Sequence, residues 1–192
     1  MKHTLLAVDD ESDILDWYRS TLSVPKVDDA LSALDQLWEQ ESTDDVDSSN
    51  AVGYELLTAS QGEDAYVLMK NLYAEGGNIS VAFIDMRMPP GWNGMKTSLQ
   101  LRSIDPDLYI VIVTAYSDYS AEEIQDVLEH DVLLLKKPVK AEELKQVAHN
   151  FCMAREGDDD LKESNLQLKE EVQTDQDTLD CLSNLLNESD KD

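Results

Sequence analysis

An open α/β domain, its parallel sheet covered on both faces, is what this sequence predicts, and three observations predict it. Short apolar runs rich in Val, Ile and Leu fall at residues 4–8, 81–84, 108–113 and 132–135, too uniformly apolar for strands with one wet face. Stretches with apolar residues at helical spacing stand between them. Each run then stops abruptly at polar residues, and the C-terminal edge of a parallel sheet is where ligands bind.

Residues 4–8 form the first strand, closed by Asp9, Asp10 and Glu11, with Ser12 placed to cap a helix over 12–22 that carries Ile14, Leu15, Tyr18 and Leu22 and stops at Pro25. Residues 27–41 put Leu31, Leu34, Leu37 and Trp38 on one helical face, and 41–50 is a Ser/Asp-rich stretch without apolar periodicity, so an inserted amphipathic helix and a disordered acidic connector are expected. A second strand over 54–59 leads to Ser60 and Glu63, a capping-box signature for a helix to about Tyr73, ended by Gly76 and Gly77.

The third strand ends in Asp85, and Pro89, Pro90, Gly91 and Gly94 force a loop over that carboxylate. Met95, Leu99 and Leu101 mark the next helix, stopped at Asp105-Pro106. The fourth strand ends in Thr114, Ala115 and Tyr116, and Ser120 with Glu123 forms another capping box for a helix to about His130. The fifth strand leads to Lys136, Lys137 and Pro138, and a last domain helix covers about 141–154. Strands alternating with helices mean right-handed βαβ units, and the flavodoxin-like (βα)5 class with strand order 2-1-3-4-5 follows.

A chain of 192 residues suits one domain with an appendage. The expected domain is 1–154 with an insertion at about 23–53, followed by 155–192 as an acidic linker and helical, coiled-coil tail. Its net charge of −26 argues against nucleic-acid partners and anionic membrane surfaces. No run is long enough for a signal peptide or a membrane span, so a cytoplasmic protein is expected. Cys152 and Cys181 show no pairing pattern and suit two reduced thiols.

With that strand order, Asp9, Asp10 and Asp85 converge in one cleft beside Thr114 and Lys137. Three carboxylates repel one another, and a hard, oxygen-seeking cation such as Mg2+ relieves this while accepting a phosphoryl oxygen. Asp85 then serves as nucleophile toward a phosphoryl group, Lys137 neutralises one of its oxygens and the Thr114 hydroxyl bonds another. Ala115 is small enough to leave a donor access. A flavin-phosphate loop is incompatible with Asp9, Asp10, Glu11 and Asp13, and a dehalogenase-type phosphatase would place an Asp where Arg87 stands. His149 and Cys152 share a helix face but have no further metal ligands nearby in sequence. Trp92 is expected to be half-buried packing.

Val8-Asp9-Asp10, the run DMRMPP from Asp85 to Pro90, Val113-Thr114-Ala115 and Lys136-Lys137-Pro138 resemble, in order and spacing, the signature of response-regulator receiver domains of two-component systems. The resemblance covers about 1–154 apart from the insertion. It implies that Asp85 is the phospho-acceptor, that Asp9 and Asp10 hold Mg2+ with the backbone carbonyl of Arg87, and that Thr114 and Lys137 are the switch and phosphate contacts. It further implies a histidine kinase or phosphotransfer protein as donor and a downstream protein as target, with no catalysis beyond self-catalysed phosphotransfer and autodephosphorylation. The chain departs from the commonest pattern in three places. The loop after Asp85 is one residue longer, Leu134 stands where many receivers carry an aromatic residue, with Tyr116 or Tyr119 as substitutes, and the insertion is foreign to the minimal fold.

Beyond an acidic break at 158–160, Leu161, Asn165, Leu168, Val172, Asp175, Leu179, Leu182 and Leu186 keep four-three spacing, the seam of a coiled coil, so a homodimer through this helix is expected. Two other readings share these residues: a receiver-fold binding or inhibitor protein that needs no phosphorylation, and the receiver of a larger hybrid histidine kinase.

Overall fold

The computed structural model describes residues 3–22, 54–115 and 120–189, and the side chains of Ala121, Asp175 and 177–189 are outside the description. The inserted helix and connector, and Tyr116 and Tyr119, also lie outside it. Among the described residues the elements are β1 (His3–Val8), α1 (Ser12–Leu22), β2 (Tyr54–Ala59), α2 (Gly62–Ala74), β3 (Val81–Asp85), α3 (Gly94–Arg102), β4 (Tyr109–Thr114), α4 (Ala121–Leu128), β5 (Val132–Lys136) and α5 (Ala141–Ser189). The strands form one parallel sheet in the order β2-β1-β3-β4-β5, the doubly wound flavodoxin-like arrangement.

Alternation along the strands divides the core in two. Leu6, Val8, Ala82, Ile84, Ile110 and Ile112 pack with Ala65 and Met69 of α2, Leu101 of α3 and Ile124 and Leu128 of α4. Leu5, Ala7, Val81, Phe83, Val111 and Val113 pack on the other face with Leu15, Tyr18 and Leu22 of α1 and Leu144, Ala148 and Cys152 of α5. Because side chains alternate with period two, each residue just past a strand end inherits its face from that parity.

Three expectations change. The Ser60–Glu63 capping box does not form: Gln61 is the N-cap of α2 and makes no side-chain capping bond, and the Glu63 carboxylate accepts the Trp92 N–H instead, 3.2 Å away. Leu99 is exposed rather than core, since the buried face of α3 is Gly94, Thr97, Ser98 and Leu101. The expected break at 158–160 is helix, because α5 runs unbroken for 49 residues. Arg155 pairs with Asp159 one turn on, at 3.2 Å, and offsets part of the acidic crowding and the helix cost of Gly157. The Ser120–Glu123 capping box is present in full.

The chain divides into two units, Met1–Cys152 and Met153–Asp192. In the second unit Leu161, Leu166, Leu168 and Val172 are exposed large hydrophobics.

Candidate functional site at the C-terminal edge of the sheet

Parity selects which polar residues meet. Asp9 continues the face of Leu5 and Ala7, Asp85 that of Val81 and Phe83, and Lys137 that of Leu133 and Leu135, so all three fall on the α1–α5 side of the sheet. Asp10 and Thr114 have the opposite parity. Val8 pairs with Ile84 in the register, and Asp85 pairs with Val113, which places the ends of β1, β3 and β4 side by side.

The Lys137 ammonium joins two buried carboxylates: Nζ donates to Asp9 Oδ2 at 2.7 Å and lies 2.9 Å from Asp85 Oδ1. Their remaining oxygens take main-chain donors, Glu11 N at 3.0 Å for Asp9 Oδ1 and Arg87 N at 2.7 Å for Asp85 Oδ2. Asp9 and Asp85 are buried, Asp10 is exposed at the mouth, and Thr114 is buried with its carbonyl accepting the Lys137 N–H at 3.0 Å. Of the expected constellation, then, the structure brings Asp9, Asp85 and Lys137 into direct contact. Among the described residues no three carboxylate, imidazole or thiolate side chains are grouped as a metal site. Between Asp9 and Asp85 the Lys137 ammonium supplies compensating positive charge.

Burial shifts these groups in instructive directions. It raises the Asp85 carboxyl above the usual value, and the Lys137 and Arg87 bonds and the Lys137 charge only partly oppose it, while the Asp9 charge adds to the rise. Burial alone would lower Lys137, but its bonds to Asp9 and Asp85 and their charges prevail and hold it above the ordinary lysine value. The Tyr18 phenol, packed against Phe83 at 5.7 Å between ring centroids, is pushed up by burial and by the charges of Asp9 and Asp85.

The loop after Asp85 is held from a side that local sequence patterns did not identify. Gln61 donates from Nε2 to Pro89 O at 3.4 Å and accepts Gly91 N–H at 3.1 Å. Glu63 takes the Trp92 N–H, and the half-buried Trp92 ring lies edge-on to Tyr66 at 6.1 Å with the Lys96 ammonium 4.5 Å from its centroid. Asn93 caps α3 through Lys96 N at 2.9 Å. Gly94 is required where α3 begins, because a Cβ there would sit 2.5 Å from the Asp85 carbonyl oxygen. Leu134, at the position where the resemblance implies an aromatic residue, packs against the opposite core cluster, partly buried.

Comparison with known proteins matches residues 46–149 to the response regulator receiver domain. The chain belongs to that family. As a receiver domain of two-component systems, it is 32% identical over 100 residues, 52% of the chain, to the osmosensing histidine protein kinase SLN1 of Saccharomyces cerevisiae. It spans 8% of that relative's length. Among solved structures, a CheY-like receiver from Methanospirillum hungatei has a TM-score of 0.58 at 18% identity, covering 82% of this chain and 99% of the other. A receiver from Clostridium thermocellum has 0.55 at 24%, covering 80% and 97%. At these identities the structural likenesses speak for the fold. Among the described residues no helix is long and apolar enough to cross a membrane.

Proposed function

We propose that this receiver accepts a phosphoryl group on Asp85 from a phosphohistidine of a histidine kinase or phosphotransfer protein, and signals to a downstream protein through the change that follows. The observation that carries the reading is the single Lys137 ammonium shared by Asp9 and Asp85 at the sheet edge. An Asp85 carboxylate oxygen attacks phosphorus, the P–N bond to the donor imidazole breaks, and that imidazole leaves with the bonding pair and takes a proton. Lys137 turns from the carboxylates toward a phosphoryl oxygen, and the Thr114 hydroxyl bonds a second. Hydrolysis of the acyl phosphate at the same centre resets the site.

The donor set suits Mg2+: the carboxylates of Asp9, Asp10 and Asp85 and the main-chain carbonyl of Arg87 are all hard oxygens, and this ion is content with one or two carboxylates and waters. Bound there, it would neutralise charge on the phosphoryl oxygens. The likeness to a histidine kinase supports a histidine donor and the reading of this chain as a hybrid-kinase type of receiver. A net charge of −26 supports protein partners over nucleic acid or membrane surfaces, in the cytoplasm.

The receiver is assigned to 1–154, with 23–53 as an insertion, and 155–192 to a helical tail. Exposed Leu161, Leu168 and Val172 at four-three spacing support a homodimer through that tail. Sedimentation of the full chain checks it, and a monomer at tens of micromolar would exclude the pairing. The central experiment is mass spectrometry after incubation with Mg2+ and a small phosphodonor. One added phosphoryl group is expected on the native chain and none on Asp85→Asn; an unchanged adduct on that variant would overturn the assignment.

A further inference from the structure

A cavity of about 470 Å³ opens beside the charged site, within the size range of small-molecule sites. Ile14 and Trp17 of α1 line it from one side, and Val113, Pro138 and Val139 from the other. These walls are apolar, so water would find few of the two to four polar partners that hold it in place. Two polar groups border the space, Lys137 and Tyr18. Lys137 is committed to Asp9 and Asp85.

Tyr18 is not committed. It is 2% exposed and makes no hydrogen bond with any described residue. Its oxygen is nevertheless not sealed in, because no fully buried side-chain oxygen or nitrogen among the described residues lacks a partner. The exposed part of this side chain therefore includes its hydroxyl, and Tyr18 is one of the residues that line the cavity. A phenol hydroxyl carries a proton, so it offers a donor and asks for an acceptor.

We propose that this cavity binds a small, uncharged, largely apolar molecule carrying one hydrogen-bond acceptor, which the Tyr18 hydroxyl engages. An anion is disfavoured because two carboxylates and one ammonium leave the neighbourhood negative. A cation would have to lie near Lys137 and give up its water for apolar walls.

Acetophenone, ethylbenzene and benzoate separate these terms, because they share a ring and differ in acceptor and charge. Each is titrated into the full chain in metal-free buffer without phosphodonor, which keeps binding distinct from phosphorylation of Asp85, and methyl resonances of Ile14, Val113 and Val139 are followed by NMR. Acetophenone is expected to shift them saturably, to bind about fivefold more tightly than ethylbenzene, and to lose that advantage in Tyr18→Phe. Ethylbenzene should be indifferent to Tyr18→Phe, and benzoate should bind most weakly. Ile14→Trp, which fills the space, should abolish all three titrations while circular dichroism stays native. Absence of saturable shifts to on the order of 10 mM acetophenone, or an affinity unchanged by Tyr18→Phe, would overturn the proposal.

Discussion

Two half-buried cations at opposite ends of the sheet show how the same kind of group can serve different ends. At the C-terminal edge Lys137 bridges two carboxylates. At the other end Arg102, from the last turn of α3, donates to the carbonyl oxygens of Leu108, Leu128, His130 and Asp131, gathering the ends of α3 and α4 and the starts of β4 and β5. Burial lowers Arg102 despite the charges of Asp131, Glu129 and Asp105, whereas the partners of Lys137 outweigh its burial and raise it. Arg102 is thus tied by fixed, neutral main-chain acceptors, two of which also take a backbone N–H. Lys137 is tied by mobile charge, which another anion or cation can exchange. The first is a structural knot and the second a site that can change state.

Arg102→Ala should show the largest effect. It strips the Leu108 and His130 carbonyls of their guanidinium donor and leaves those of Leu128 and Asp131 with only the His130 and Ile110 N–H groups, a loss on the order of 3 kcal/mol by urea denaturation. Phosphodonor labelling of the protein that remains folded should be unchanged. A stability loss under about 0.5 kcal/mol would show that water replaces the guanidinium at no cost.

Lys137→Met should destabilise the metal-free protein at neutral pH by about 2 kcal/mol, since it strands two desolvated carboxylates. The loss should shrink as pH falls through the range where the Asp85 carboxyl, held above its usual value by burial, protonates, and Mg2+ should restore part of it. Arg102→Ala should show neither rescue, which is the sharpest form of the contrast. A Lys137→Met deficit independent of both pH and Mg2+ would make Lys137 another structural tie.

Gln61→Ala should cost about 1 kcal/mol or less, because the bonds it loses to Pro89 and Gly91 are exposed. It should slow labelling of Asp85 more than it lowers stability, since it loosens the loop that carries Arg87. Equal labelling rates in the variant and the native chain would reduce Gln61 to a surface contact.

How much of this was legible follows from the range of each interaction. Strand number, strand order and the residues at the sheet edge depend on local apolar runs and on their alternation with helices, and the structure reproduces them. Strand parity also separates Asp9, Asp85 and Lys137 from Asp10 and Thr114; it is written in the sequence, yet grouping by strand end alone misses it. The Ser120–Glu123 box formed with both of its reciprocal bonds, which are local to one helical turn. The Ser60–Glu63 pattern failed because Trp92, 29 residues on, takes the Glu63 carboxylate. Arg102 was invisible for the same reason: its acceptors lie up to 29 residues away and are main-chain atoms, which carry no residue signature.

Asp85→Asn should give the smallest change in stability, and of opposite sign. The Asp85 carboxyl is held above its unfolded value, chiefly by burial, so the fold binds its proton more tightly than the unfolded chain does. The stability contributed by this group is therefore fully present below the unfolded carboxyl pKa and lost as pH rises through the folded one. At neutral pH the ionised side chain is a net cost despite Lys137, and an amide of the same shape removes that cost while Asp9 retains the ammonium. Metal-free Asp85→Asn should melt slightly above the native chain at pH 7, and the two curves should converge on acidification. If the variant instead melts lower at pH 7, the Lys137 pair outweighs burial at Asp85, and the exchangeable charge at this end of the sheet is as firmly tied as the guanidinium at the other.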